Sequence, residues 1–131
     1  MATVKQLLDK NKKAYEGQFY VESLNLSYIL IIRALKQITN EEKISIPNPQ
    51  AKLNEFAKRL KSHYSKAPQF KKKLKKDIYR HIVQFNSDHK IVTKELKYQY
   101  PEIKLRNTAR SGIQIVVKLN TTLIKLKNNK L

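Results

Sequence analysis

Apolar positions three and four residues apart run through most of the chain. Val4, Leu7 and Leu8 open a helical stripe that extends to about Tyr15, and Thr3 with Gln6 has the form of a capping box at its start. Gly17 ends this helix. A second helix is predicted from Phe19 to Thr39, with Tyr20, Leu24, Tyr28, Ile31, Leu35 and Ile38 along one side. Ile29, Leu30 and Ile32 widen its apolar stripe to nearly the whole girth, the pattern of a central helix covered by neighbours. The prolines of ISIPNPQ, 44–50, mark a connection. Leu53, Phe56, Ala57, Leu60 and Tyr64 predict a third helix of about 15 residues.

Pro68 fits the first turn of the next helix, where Phe70, Leu74, Ile78, Ile82 and Phe85 form one narrow stripe. Ser87 or Asp88 is placed to cap a further short helix through Ile91, Val92 and Leu96. Pro101 then separates a last long helix, roughly 102–127. Ala109, Ile113, Val116, Val117, Leu123 and Ile124 give it one stripe; Leu105, Gly112, Ile115, Leu119 and Leu126 give it another. Two stripes exceed what one contact needs, so this helix is expected to be central or shared with a second copy. Gly112 within a helix costs about 1 kcal/mol against alanine, which close approach of another backbone would explain. No strand alternation or internal repeat appears. The expectation is one all-α domain over 1–131, a bundle of five or six helices.

Composition removes several classes of chemistry. There is no cysteine, so disulfides and thiolate metal sites are excluded. His63, His81 and His89 show no metal-ligand spacing, the acids do not pair as ligands, and no glycine loop cradles a phosphate. No cofactor or metal is therefore expected, and no serine sits in a recognisable nucleophile elbow. The charged N-terminus lacks the apolar core of a signal peptide, and the longest apolar run, 28–32, is too short for a bilayer. A soluble cytoplasmic protein with no membrane partner is expected.

Charge changes the picture most. The formal net charge is +18, an excess that repels itself and favours polyanionic partners. A solvated lysine surface is the ordinary explanation, but such a surface intersperses acids. Here the span 57–76 holds nine basic residues and no acid, and the span 103–131 holds seven and no acid. The segment KRLKSHYSKAPQFKKKLKKDIYRH, 58–81, is the strongest candidate surface. Arg59, Lys61, Lys66, Lys71, Lys72, Lys75, Lys76 and Arg80 are its expected nucleic-acid contacts, with Lys73 beside them and Tyr64 able to stack on a base where exposed. No helix-turn-helix signature accompanies them, so phosphate contact is favoured over base reading.

Within the last helix, LRNTARSG interrupts the apolar pattern. Arg106 and Arg110 are four apart, as are Asn107 and Ser111. The ordinary reading is that the arginines reach to solvent. The run also resembles the signature of HEPN domains (higher eukaryotes and prokaryotes nucleotide-binding), in which Arg, often Asn, three variable residues and His are commonly followed by Gly. Arg106, Asn107 and Gly112 match; Ser111 stands where that pattern has histidine. The segment EGQFYVESLNLSYILIIRALKQI is similar to an early HEPN helix. The resemblance implies an all-α fold, a homodimer through the late helix, here 103–126, and metal-independent RNase chemistry in active members. It makes Arg106 the phosphate-facing arginine and Asn107 its support, with Arg110 alongside. Ser111 cannot transfer a proton as histidine does, a loss worth a factor of about 10² to 10⁴. A non-catalytic protein binding RNA or another nucleic acid is the expected function. The alternative is a small helical interaction module, of antitoxin, adaptor or phage type, with an acidic protein partner. An active RNase ranks last.

Overall fold

A computed structural model of the chain describes residues 3–41, 53–65, 77–95 and 102–128. Among them there are five helices and no strand: α1 (Val4–Glu16), α2 (Tyr20–Glu41), α3 (Leu53–Ser65), α4 (Asp77–Glu95) and α5 (Glu102–Asn128). The protein is an all-α helical bundle. Helix α2 touches all four others, and its most extensive partner is α5; α1 touches neither α3 nor α4.

The ends of α1 follow the sequence closely. The Thr3 hydroxyl accepts from the Gln6 backbone N–H at 3.1 Å, and the Gln6 side chain accepts from the Thr3 N–H at 2.9 Å. Gly17 caps the other end, where its N–H donates to the Lys13 carbonyl. A Cβ there would sit 3.1 Å from the Phe19 ring and 3.2 Å from the Lys13 carbonyl oxygen. The left-handed residue of the turn is Gln18, with φ 67°.

The core joins Leu24, Ile31, Leu35 and Ile38 of α2 to Leu53, Phe56 and Leu60 of α3, Ile78, Ile82, Phe85 and Val92 of α4, and Ala109, Ile115, Val116 and Leu119 of α5. The central position expected for α2 holds, except that Ile29 is exposed. Glu22, Ile29, Lys36 and Asn40 share one strip of α2 that no described neighbour covers.

Helix α4 departs from expectation at Ser87 and Asp88. It runs unbroken through both, and Asp88 accepts from the Gln84 side chain instead of capping a new helix. Continuing the helix keeps Ile82, Phe85 and Val92 on one buried face, and that burial outweighs a local capping preference. The expected helix start at Pro68, and the contributions of Phe70 and Leu74, lie outside the described residues.

The interior also contains a polar junction. Asn11 of α1 donates from Nδ2 to the Ser27 hydroxyl at 2.8 Å and accepts from the Ser23 hydroxyl at 2.6 Å. Asn11 is 2% exposed, and both serines are fully buried. Gly112 of α5 meets the same Ser27 from the other side. Small side chains at 23 and 27 thus let two helices approach α2 at one level, and both hydrogen bonds of the amide join α1 to α2.

Candidate nucleic-acid interface

Helix α5 sorts the residues of RNTARSG by direction. Arg106, Asn107 and Arg110 are exposed, Ser111 is partly buried, and Gly112 is buried. Arg106 and Arg110 share an outer strip with Ile103, Ile113, Val117 and Ile124, spaced alternately by three and four except where Asn120 intervenes. The first apolar stripe is therefore divided, part of it turning inward beside the second stripe and part of it outward. Gly112, Ile115 and Leu119 face inward together with Ala109, Val116 and Leu123, while Ile103, Val117 and Ile124 remain exposed.

Gly112 corrects one expectation. Its missing side chain accommodates Ser27 of α2 and Phe85 of α4 within the same chain. The close approach is intramolecular, so this glycine gives no support to a homodimer.

Arg106 borders an open hollow of about 280 Å³ between the α1–α2 turn and the start of α5, with Gln18, Tyr20, Glu102 and Ile103. Among the described residues neither Arg106 nor Arg110 makes a hydrogen bond or ion pair. Both side chains are exposed. Glu102, one helical turn before Arg106, lines the same hollow, and its carboxylate competes with any incoming phosphate for that guanidinium.

The second expected surface lies elsewhere. Arg59 and Lys61 are exposed on α3, Arg80 is exposed on α4, and Lys58 joins them. Lys58, Lys61 and Arg80 border one groove of about 400 Å³ between α3 and α4. Lys66, Lys71, Lys72, Lys75 and Lys76 lie outside the described residues, as do the side chains of His63 and Tyr64. Helices α3 and α5 do not touch, so Arg59 and Lys61 belong to a different part of the molecule from Arg106 and Arg110.

Two histidine side chains are described, both on α4. His81 is partly buried on α4. His89 is engaged in packing: its Nε2 lies 2.8 Å from the Asn25 side-chain oxygen, and its ring stacks on Tyr28 at 4.3 Å. It also meets the edge of Phe85. Burial holds its pKa below the ordinary histidine value. A histidine with a lowered folded pKa binds its proton more readily when unfolded. Its contribution to stability is complete above the unfolded value of about 6.5 and is lost as pH falls through that value toward the folded one. Urea denaturation at pH 7.5 and pH 5.5 is therefore expected to show a smaller acid loss in His89→Phe than in the parent. Equal losses would remove His89 as the cause.

Two residues of consequence carry no obvious sequence signal. Tyr79 is buried beside the α3–α4 groove, and its hydroxyl finds no hydrogen-bond partner among the described residues. Burial pushes its pKa up to about 12, so it is a donor at any physiological pH. Asn11 sits on the Leu7–Leu8 stripe, where a polar side chain at an apolar position is the one available clue.

Among the described residues no group of His, Cys, Asp and Glu could hold a metal ion, and no helix is long and apolar enough to cross a membrane. No protein-family model matches the chain, and neither does any curated protein or solved structure.

Proposed function

We propose that this is a non-catalytic, HEPN-like helical protein that binds RNA, or another nucleic acid, through phosphate contacts. The observation that carries the reading is the exposed set Lys58, Arg59 and Lys61 on α3 with Arg80 on α4, in a chain of net charge +18. Exposed lysines and arginines on one edge position a phosphate backbone without reading its sequence. The exposed pair Arg106 and Arg110 supplies a second anion contact, and Ser111 beside it offers no group that titrates near neutrality.

Affinity for a single-stranded RNA oligonucleotide is expected to fall steeply between about 50 and 200 mM salt. Replacing Lys58, Arg59 and Lys61 together by glutamine flattens the log–log slope by about 0.7 for each phosphate that is no longer neutralised. Arg106→Ala weakens binding and leaves the helical circular dichroism unchanged, because the side chain is exposed. Absence of binding at low salt ends the reading. RNA cleavage that persists in chelator and disappears in Arg106→Ala would replace it with an active metal-independent nuclease.

One observation favours a second reading, a helical interaction module. Ile103, Val117 and Ile124 lie exposed on the same strip of α5 as Arg106 and Arg110. An apolar strip framed by guanidiniums fits an acidic amphipathic partner. A homodimer through 103–126 would also have to use this outer strip. Sedimentation as a monomer at high micromolar concentration removes the homodimer.

A further inference from the structure

The groove between α3 and α4 has more in it than charge. Buried Ala57 and Tyr79 lie at its base, and Val83 contributes an apolar lip that is 44% exposed. Lys58 and Lys61 border it from α3, and Arg80 from α4. Asn54 supplies an amide at the α3 side. Gln84 supplies another at the α4 side; its Nε2 donates to Asp88, which leaves its carbonyl oxygen as an acceptor.

A bare phosphate site needs only the cations, and an apolar wall inside it adds nothing for an ion. A flat base with a phosphate attached uses every part. Its faces lie against aliphatic and aromatic surface, its edge meets amide groups, and its phosphates meet lysine and arginine. A volume of about 400 Å³ falls within the range of small-ligand pockets. A base inside a duplex is stacked and paired, and so cannot enter a recess between two helices.

We infer that the α3–α4 groove seats one unpaired nucleotide of a single-stranded RNA, with the base against Ala57, Tyr79 and Val83 and the flanking phosphates on Lys58, Lys61 and Arg80. This rests on the RNA-binding reading and narrows it to a strand form and a place. Val83 becomes the residue that separates insertion of a base from plain attraction between charges.

The test is Val83→Lys, measured by fluorescence anisotropy on the full chain with a short single-stranded RNA and with the blunt duplex of the same sequence. The added lysine raises the local positive charge while its stem fills the groove. Position 83 is an exposed helical site, and circular dichroism checks that the variant folds. The unmodified chain is expected to bind the single strand about tenfold more tightly than the duplex, and Val83→Lys to remove about that factor for the single strand. Duplex affinity is expected to hold or rise slightly with the extra charge. Single-strand affinity that is unchanged or stronger in Val83→Lys overturns the base-seating groove, as does a parent chain with no preference for the single strand. In either case salt-dependent binding still stands for the wider RNA-binding reading. Failure of both RNAs to bind at low salt removes the two together.

Discussion

Gly112→Leu is expected to unfold the protein or leave it with a greatly lowered melting temperature. The reason lies in what a Cβ at this position would meet: Ser27 Cβ at 2.8 Å, Phe85 Cζ at 2.9 Å and Ser27 Oγ at 3.0 Å. Phe85 can rotate slightly, but the Cβ of Ser27 is fixed to the backbone of the central helix. The larger side chain must therefore push α5 away from α2, across the most extensive interface among the described helices. Even Gly112→Ala is informative. Helix propensity alone favours alanine by about 1 kcal/mol, whereas overpacking costs about 1–3 kcal/mol. Net destabilisation of the alanine variant is the expected result in urea denaturation, and the same change is expected to cost less in a Ser27→Gly background, which is itself destabilised because Asn11 loses the hydroxyl it donates to. A more stable alanine variant would show that the approach is looser than these distances imply. Loss of self-association with the fold intact would return the glycine to an intermolecular role.

Asn11→Asp is expected to cost about 3 kcal/mol at neutral pH, because it places a carboxylate in a junction closed off from bulk water. Asn11 is 2% exposed, and its side chain is held by the hydroxyls of Ser23 and Ser27. Both hydroxyls can donate to a carboxylate, which moderates the loss but does not replace bulk solvation. Burial raises the folded-state pKa of the new acid above its unfolded value of about 3.9. The deficit relative to the parent is therefore absent below the unfolded value, grows as pH rises toward the raised folded value, and is constant above it. Denaturation at about pH 4 and pH 7.5, with the parent in parallel, reads this directly. A deficit independent of pH would mean that the junction is wet or rearranges. The sense is opposite to that of His89, whose contribution is lost toward acid, so the two effects are separable in one titration.

Much of the fold could be read from local pattern. Thr3 and Gln6 form the reciprocal cap that their spacing implies, and the wide stripe of α2 marks it as central, whereas the stripes of α5 leave a central place and a shared one both open. These features depend on residues within one or two helical turns of each other. What escaped reading depends on partners far away in sequence. Ser87 and Asp88 look like a helix start, yet the face made by Ile82, Phe85 and Val92 holds α4 straight through them. Ile29 is as apolar as its neighbours and is exposed because no described element covers its strip. Asn11 finds its use in two serines of another helix, and Gly112 in one of the same serines. The candidate site divides in the same way. That cations would gather around 58–80 is evident from composition. That Lys58, Lys61 and Arg80 border a recess based on Ala57 and Tyr79 is a product of α3 packing on α4.

The pairing of α2 with α5 also bears on how the chain reaches this state. The principal interface joins segments separated by the roughly 60 residues between Glu41 and Glu102, so a long loop must close before that surface is buried. The contacts of α1 with α2, and of α3 with α4, span far shorter stretches and can form early. Until α5 docks, Ser27 and the flanking face of α2 stand open. Docking of α5 is then the expected slow step, and the glycine at its close approach to α2 sets whether that helix can seat.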